Sequence, residues 1–171
     1  MLNYQSTIKE KKTYSGLSIK EISPIMKLNL RGKSRDFLST IGKNINMILP
    51  IEANTSSSSD KYTSIWLSPD EWLVVSTHMI DKDNNNHEIE NLLFNTISKT
   101  NLGGVTDVSD QFVLININGE KVLDLLSTGC PFNFNNFSKK KGAVTQTILA
   151  QIDIIEAQPE MHRYVTKRIF K

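Results

Sequence analysis

Two β-rich runs, residues 62–68 and 72–77, meet at Ser68-Pro69-Asp70-Glu71, where proline presets the backbone for a tight turn. This commits the stretch to an antiparallel hairpin with Trp66 and Trp72 on either side of the turn. Upstream, Met26, Leu28 and Leu30 alternate with Lys27, Asn29 and Arg31, the period of two expected of a strand with one buried face. Residues 17–22 read as another strand, set apart by Pro24. Alternation of this kind, in place of solid apolar runs, disfavours a parallel doubly wound sheet.

Helical spacing appears between the strands. Ser34 can cap a helix whose Phe37, Leu38, Ile41, Ile45 and Ile48 form one apolar stripe, with Pro50 as its stop. Residues 87–99 place Ile89, Leu92, Leu93 and Ile97 on one face, and Gly103-Gly104 reads as the terminator just beyond. Residues 54–60, with four consecutive serines, read as a loop, and so do residues 81–86.

The second half repeats this order. Strands are expected at 105–108 and 111–117, then a helix at 119–128 aligning Val122, Leu125 and Leu126, ended by Gly129 and Pro131. One long strand is expected where Ile148, Ala150, Ile152 and Ile154 alternate with Leu149, Gln151, Asp153 and Ile155, and a last strand near 161–167. The expectation is an α+β fold of two ferredoxin-like β-β-α-β-β units, mainly antiparallel sheets covered by helices. Residues 1–16 read as a flexible tail and 17–171 as one domain, with lobes at about 17–102 and 103–171.

With 171 residues the chain is long enough to bury a core. The net charge of +2 is small, and the basic runs at 9–12 and 139–141 lack the interleaved aromatics of a nucleic-acid face. No stretch approaches the roughly 20 apolar residues of a membrane helix, and Met1-Leu2-Asn3-Tyr4-Gln5 lacks the pattern of a secretion signal. The single Cys130 excludes an internal disulfide and fits a reducing cytoplasm. The expectation is a cytoplasmic protein without membrane or nucleic-acid partners.

Chemistry is sparse. His78, His87 and His162 have no second ligand at metal spacing in the sequence, and Cys130 follows a helix C-terminus, where the dipole disfavours a thiolate. No dinucleotide loop, phosphate loop or His-Glu-x-x-His pattern appears. Catalytic, cofactor and metal residues are therefore expected to be absent from this chain. Trp66 and Trp72 can fill a core or a partner's pocket.

Three stretches resemble the gamma subunit of heterotetrameric sarcosine oxidase. They are Trp66-Leu67-Ser68-Pro69-Asp70-Glu71-Trp72-Leu73, similar to that family's W-L-G-P-D-E-W-L hairpin; Asp107-Val108-Ser109; and Asn118-Gly119-Glu120-Lys121-Val122-Leu123 through Gly129-Cys130-Pro131-Phe132. A further match is Thr147-Ile148-Leu149-Ala150-Gln151-Ile152. The family's Asp-Val-Ser-His-Arg is here Asp107-Val108-Ser109-Asp110-Gln111, and members of the family usually continue beyond the point matching Lys171 into a closing Ser-Phe-Ala helix.

The resemblance implies a fold like the glycine-cleavage T-protein and a non-catalytic assembly subunit with alpha, beta and delta partners. Their complex demethylates sarcosine or a related N-methyl amine to glycine and passes the one-carbon unit to tetrahydrofolate. FAD, FMN, NAD, zinc and tetrahydrofolate are then expected on the other subunits. Trp66, Pro69, Trp72, Cys130, Pro131 and Phe132 are the expected partner-facing residues. The rival is a stand-alone folate-binding aminomethyltransferase-like protein.

Overall fold

The computed structural model describes residues 11–22, 25–79, 87–134, 140–157 and 164–165, together with Ser6, Ile8 and Phe137. In chain order its strands are β1 (Lys12–Tyr14), β2 (Leu17–Glu21), β3 (Ile25–Arg31), β4 (Ser56–Ser58), β5 (Tyr62–Ser68), β6 (Glu71–Met79), β7 (Gly104–Asp107), β8 (Ile115–Asn118), β9 (Val144–Leu149), β10 (Ile152–Ala157) and β11 (Tyr164–Val165). Its helices are α1 (Arg35–Ile45), α2 (Glu88–Leu93), which continues into a π-helical turn (Phe94–Ser98), and α3 (Val122–Gly129). Expectations that fall on Pro24, residues 81–86, His162 and most of 161–167 lie outside the described residues.

The chain forms two units, one continuous (Ile25–Ser109) and one split (Met1–Pro24 with Asp110–Lys171). This differs from lobes parting near 102, because β2 is an antiparallel neighbour of β8, with Ser18 opposite Asn118 and Glu21 opposite Ile115. Every strand pairing among the described residues is antiparallel. The α+β class stands. The internal order is β-α-β-β-β-α-β in the continuous unit, not β-β-α-β-β.

In the continuous unit the sheet order is β4-β5-β6-β3-β7. Leu28 and Leu30 face Val74 and Trp72 in register, and Phe37, Ile41 and Ile45 of α1 with Leu93 and Ile97 complete a buried cluster. Ser34 accepts a hydrogen bond from the Phe37 N–H at 3.0 Å, the N-cap expected of it. The helix ends at Ile45, not Pro50: Asn46 turns left-handed (φ 49) and its N–H reaches the Gly42 carbonyl. Ile48 consequently leaves the stripe and is 86% exposed.

The second helical stripe departs as well: Leu93 and Ile97, four residues apart, are fully buried, while Leu92 is exposed. The serine-rich stretch is not wholly a loop either, since Ser56–Ser58 pairs with β5.

Gly103 does not act as a helix terminator. Asn101 supplies the left-handed turn (φ 57), whereas a Cβ on Gly103 would stand 2.2 Å from the Arg31 carbonyl oxygen and 2.8 Å from the Phe37 ring. The glycine is needed where the backbone crosses β3.

The alternation in β3 also misleads. Lys27 is 1% exposed, and its Nζ donates to the carbonyls of Ile25 (3.0 Å) and Ser109 (2.9 Å). Its register neighbours Val75 and Thr63 are buried as well, so both faces of this sheet are covered.

The split unit has sheet order β1-β2-β8-β11-β10-β9. Val122 and Leu126 of α3 pack with Ile117, Phe134, Phe137 and Ile154. The expected tail contributes β1, and Ser6 Oγ and the Ile8 N–H both donate to Glu21 Oε2 at 2.8 Å. The strand expected at 111–117 is confined to β8, Ile115–Asn118.

The single long strand expected near 150 is instead a hairpin, β9 to β10, because Ala150 (φ 48) and Gln151 (φ 71) form a two-residue turn. Gly129 is the last helical residue of α3, and Cys130 leaves the helix extended (φ −122), as the residue before Pro131 must.

Candidate functional site

The residues shared with the family motifs are held by specific polar contacts. At the hairpin turn Ser68 Oγ donates to Asp70 Oδ1 at 2.8 Å, and the Asp70 carbonyl accepts from the Gly32 N–H at 3.0 Å. The Ser68 hydroxyl, with help from Lys33 and Arg31, holds the Asp70 carboxyl below the usual range. Glu71 accepts from Asn29 (2.7 Å) and Arg31 (2.8 Å), and raises the Arg31 pKa through that bond and its charge.

Trp72 lies in the core at 2% exposure, its ring centroid 5.9 Å from that of Phe37. Its Nε1–H donates to the Pro50 carbonyl at 2.7 Å. Trp66 stands directly opposite on β5, half-buried against the same cluster, and its N–H donates to the Thr55 carbonyl at 3.0 Å. Pro69 is exposed at the tip.

Asp107-Val108-Ser109 forms a knot with β3. Asp107 Oδ1 accepts the Ser109 N–H (2.7 Å), Ser109 Oγ accepts the Lys27 N–H (2.9 Å), and the Lys27 carbonyl accepts the Val108 N–H (2.9 Å). These bonds end β7 and satisfy the backbone around a buried ammonium.

Cys130, Pro131 and Phe132 belong to the split unit, apart from the hairpin's unit, so the six expected partner-facing residues do not form one patch within either unit. Cys130 is buried, with Sγ 3.4 Å from Thr147 Oγ1. Phe132 is half-buried and meets Phe134 (5.0 Å, 70°) and Phe137 (5.5 Å, 84°) edge to face. Only Pro131 of the three is exposed.

One grouping escaped the sequence. His87 Nδ1 lies 2.6 Å from Glu90 Oε2, and Asp107 joins them with all three donor atoms within 4.8 Å of one another. His87 therefore has nearby ligand-type groups, contrary to the reading from spacing, since Asp107 arrives from a strand 20 residues away. These groups sit at a surface helix start, and one of the two Asp107 oxygens is engaged with Ser109. Among the described residues, no helix is long and apolar enough to cross a membrane.

Also unforeseen is an apolar tip beside the hairpin. Met47 and Leu49 are buried, whereas Ile48 and Ile51 are 86% and 80% exposed. Ser57 Oγ holds the Ile48 carbonyl at 2.6 Å. The signal available was a run of apolar residues, Met47-Ile48-Leu49-Pro50-Ile51, too long for the end of one helical stripe.

This is an antiparallel α+β chain whose motif residues serve packing and backbone satisfaction. The fold is shared with a chain of heterotetrameric sarcosine oxidase from Corynebacterium sp. U-96, solved in complex with pyrrole 2-carboxylate, at a TM-score of 0.76 and 18% identity. That match covers 89% of this chain and 75% of the other. The sarcosine oxidase gamma subunit family model matches residues 31–171, and the chain belongs to that family. No curated protein sequence matches it.

Proposed function

We propose that this chain is a non-catalytic assembly subunit of a cytoplasmic sarcosine oxidase complex, which demethylates sarcosine or a related N-methyl amine and transfers the one-carbon unit to tetrahydrofolate. Alpha, beta and delta chains are its partners, and they hold the FAD, FMN, NAD, zinc and folate. The observation that carries this reading is the use to which the family motif residues are put. Trp72 fills a core, Ser109 caps a buried lysine's backbone, and Cys130 is enclosed, so each builds the subunit. Family membership supports a place in the complex.

The test is co-expression of this chain with the other subunits encoded beside it. A stable complex with oxidase activity is expected, while the isolated chain carries no stoichiometric flavin and has no activity. Micromolar tetrahydrofolate binding by the isolated chain in calorimetry would instead favour the stand-alone aminomethyltransferase-like reading.

A further inference from the structure

The continuous unit exposes an apolar tip on backbone that is held in place. Ile48 and Ile51 project at 86% and 80% exposure, flanking a segment whose Leu49 is buried. Three bonds fix it: Ser57 Oγ to the Ile48 carbonyl (2.6 Å), Trp72 Nε1 to the Pro50 carbonyl (2.7 Å), and the Trp66 N–H to the Thr55 carbonyl (3.0 Å). Two of the three come from the tryptophans of the hairpin. We infer that the hairpin does not itself dock, but presents the Ile48–Ile51 tip as an anchor for an apolar pocket on another subunit of the complex. This rests on the assembly role proposed above.

Two isoleucine side chains offer on the order of 200 Å² of apolar surface, judged from their transfer free energies at 25 cal/mol per Å². A standard interface takes about 800 Å² from each partner. Two copies meeting tip to tip would bury too little for a stable dimer, so the tip must be the anchor within a wider contact. Residues 46–55 include one charged side chain, Glu52, and no lysine or arginine. An anionic membrane surface would have no basic residue there to attract. A neutral apolar anchor whose backbone is already ordered suits a protein pocket, where the ordering cost of binding is reduced.

The test measures association of the full chain with the co-expressed partner subunits. Ile48→Asp and Ile51→Asp are compared with Phe94→Asp, which alters another exposed apolar side chain of the same unit. Each tip variant is expected to weaken association at least about tenfold, and Phe94→Asp by less than about twofold. Ile51→Ala provides a milder change should an aspartate impair folding, and unfolding midpoints of the free variants should match wild type.

Equal assembly by all variants overturns the inference and leaves the assembly role intact. Failure of the wild-type chain to associate overturns both. If sedimentation shows wild-type self-association that Ile51→Asp abolishes, the occupant is a second copy and the inference falls.

Discussion

Replacing Gly103 or Gly104 by alanine separates two accounts of this glycine pair. A methyl on Gly103 would lie 2.2 Å from the Arg31 carbonyl oxygen and 2.8 Å from two atoms of the Phe37 ring, whereas one on Gly104 meets nothing within 4 Å. Carbon and carbonyl oxygen pack no closer than about 3.3 Å, so β3 and the chain entering β7 must part by about 1 Å. Phe37 cannot yield freely, being fully buried. Overpacking costs about 1–3 kcal/mol, and a clash with backbone and core together belongs at the upper end, about 3 kcal/mol.

For a chain of this length each kcal/mol moves Tm by about 2–4 °C, so Gly103→Ala is expected to lower Tm by about 6–12 °C. Gly104 has no positive φ, and alanine there narrows the unfolded ensemble by about 0.4–1 kcal/mol, raising Tm by about 1–4 °C. Thermal and urea unfolding followed by circular dichroism reads both. If the pair were simply a helix stop, the two substitutions would cost similar amounts. Equal losses, or a Gly103→Ala midpoint at the wild-type value, would refute the close-approach account.

Ser109→Ala leaves the Lys27 N–H without its 2.9 Å acceptor and should destabilise by about 1–2 kcal/mol in urea titrations; no change would show that another group satisfies that N–H. The depressed Asp70 pKa implies a contribution to stability that is present above the ordinary aspartate range and fades as pH falls through the lower folded value. Because the Ser68 hydroxyl is the leading cause, Ser68→Ala should move the Asp70 carboxyl titration, followed by NMR, back up toward normal. A titration unmoved by that change would exclude the hydroxyl as the cause.

What could be read directly from the chain was local. The hairpin turn follows from proline's fixed φ, the α1 N-cap from a serine hydroxyl within reach of an N–H three residues on, and the inward placing of Leu28, Leu30, Phe37, Ile41 and Ile45 from their periods. The partnering of α1 with Trp72 and Val74 agrees with those periods. The family resemblance was legible in the motif residues, although the work those residues do was not.

The tertiary structure decided everything that depends on chain segments distant in sequence. Lys27 sits where the strand pattern expects a solvated residue, and the return of Ser109, 82 positions later, adds a second carbonyl for its ammonium beside that of Ile25 and a hydroxyl oxygen for its N–H. Gly103 is required because Arg31 lies against it, not because a helix stops there. Trp72 turned out to be a prop for Pro50, and the exposed Ile48–Ile51 tip beside it arises from an early left-handed turn at Asn46. Periodicity records which way a side chain points along its own element. What covers that face, and which backbone polar groups meet there, is set by elements that periodicity does not see.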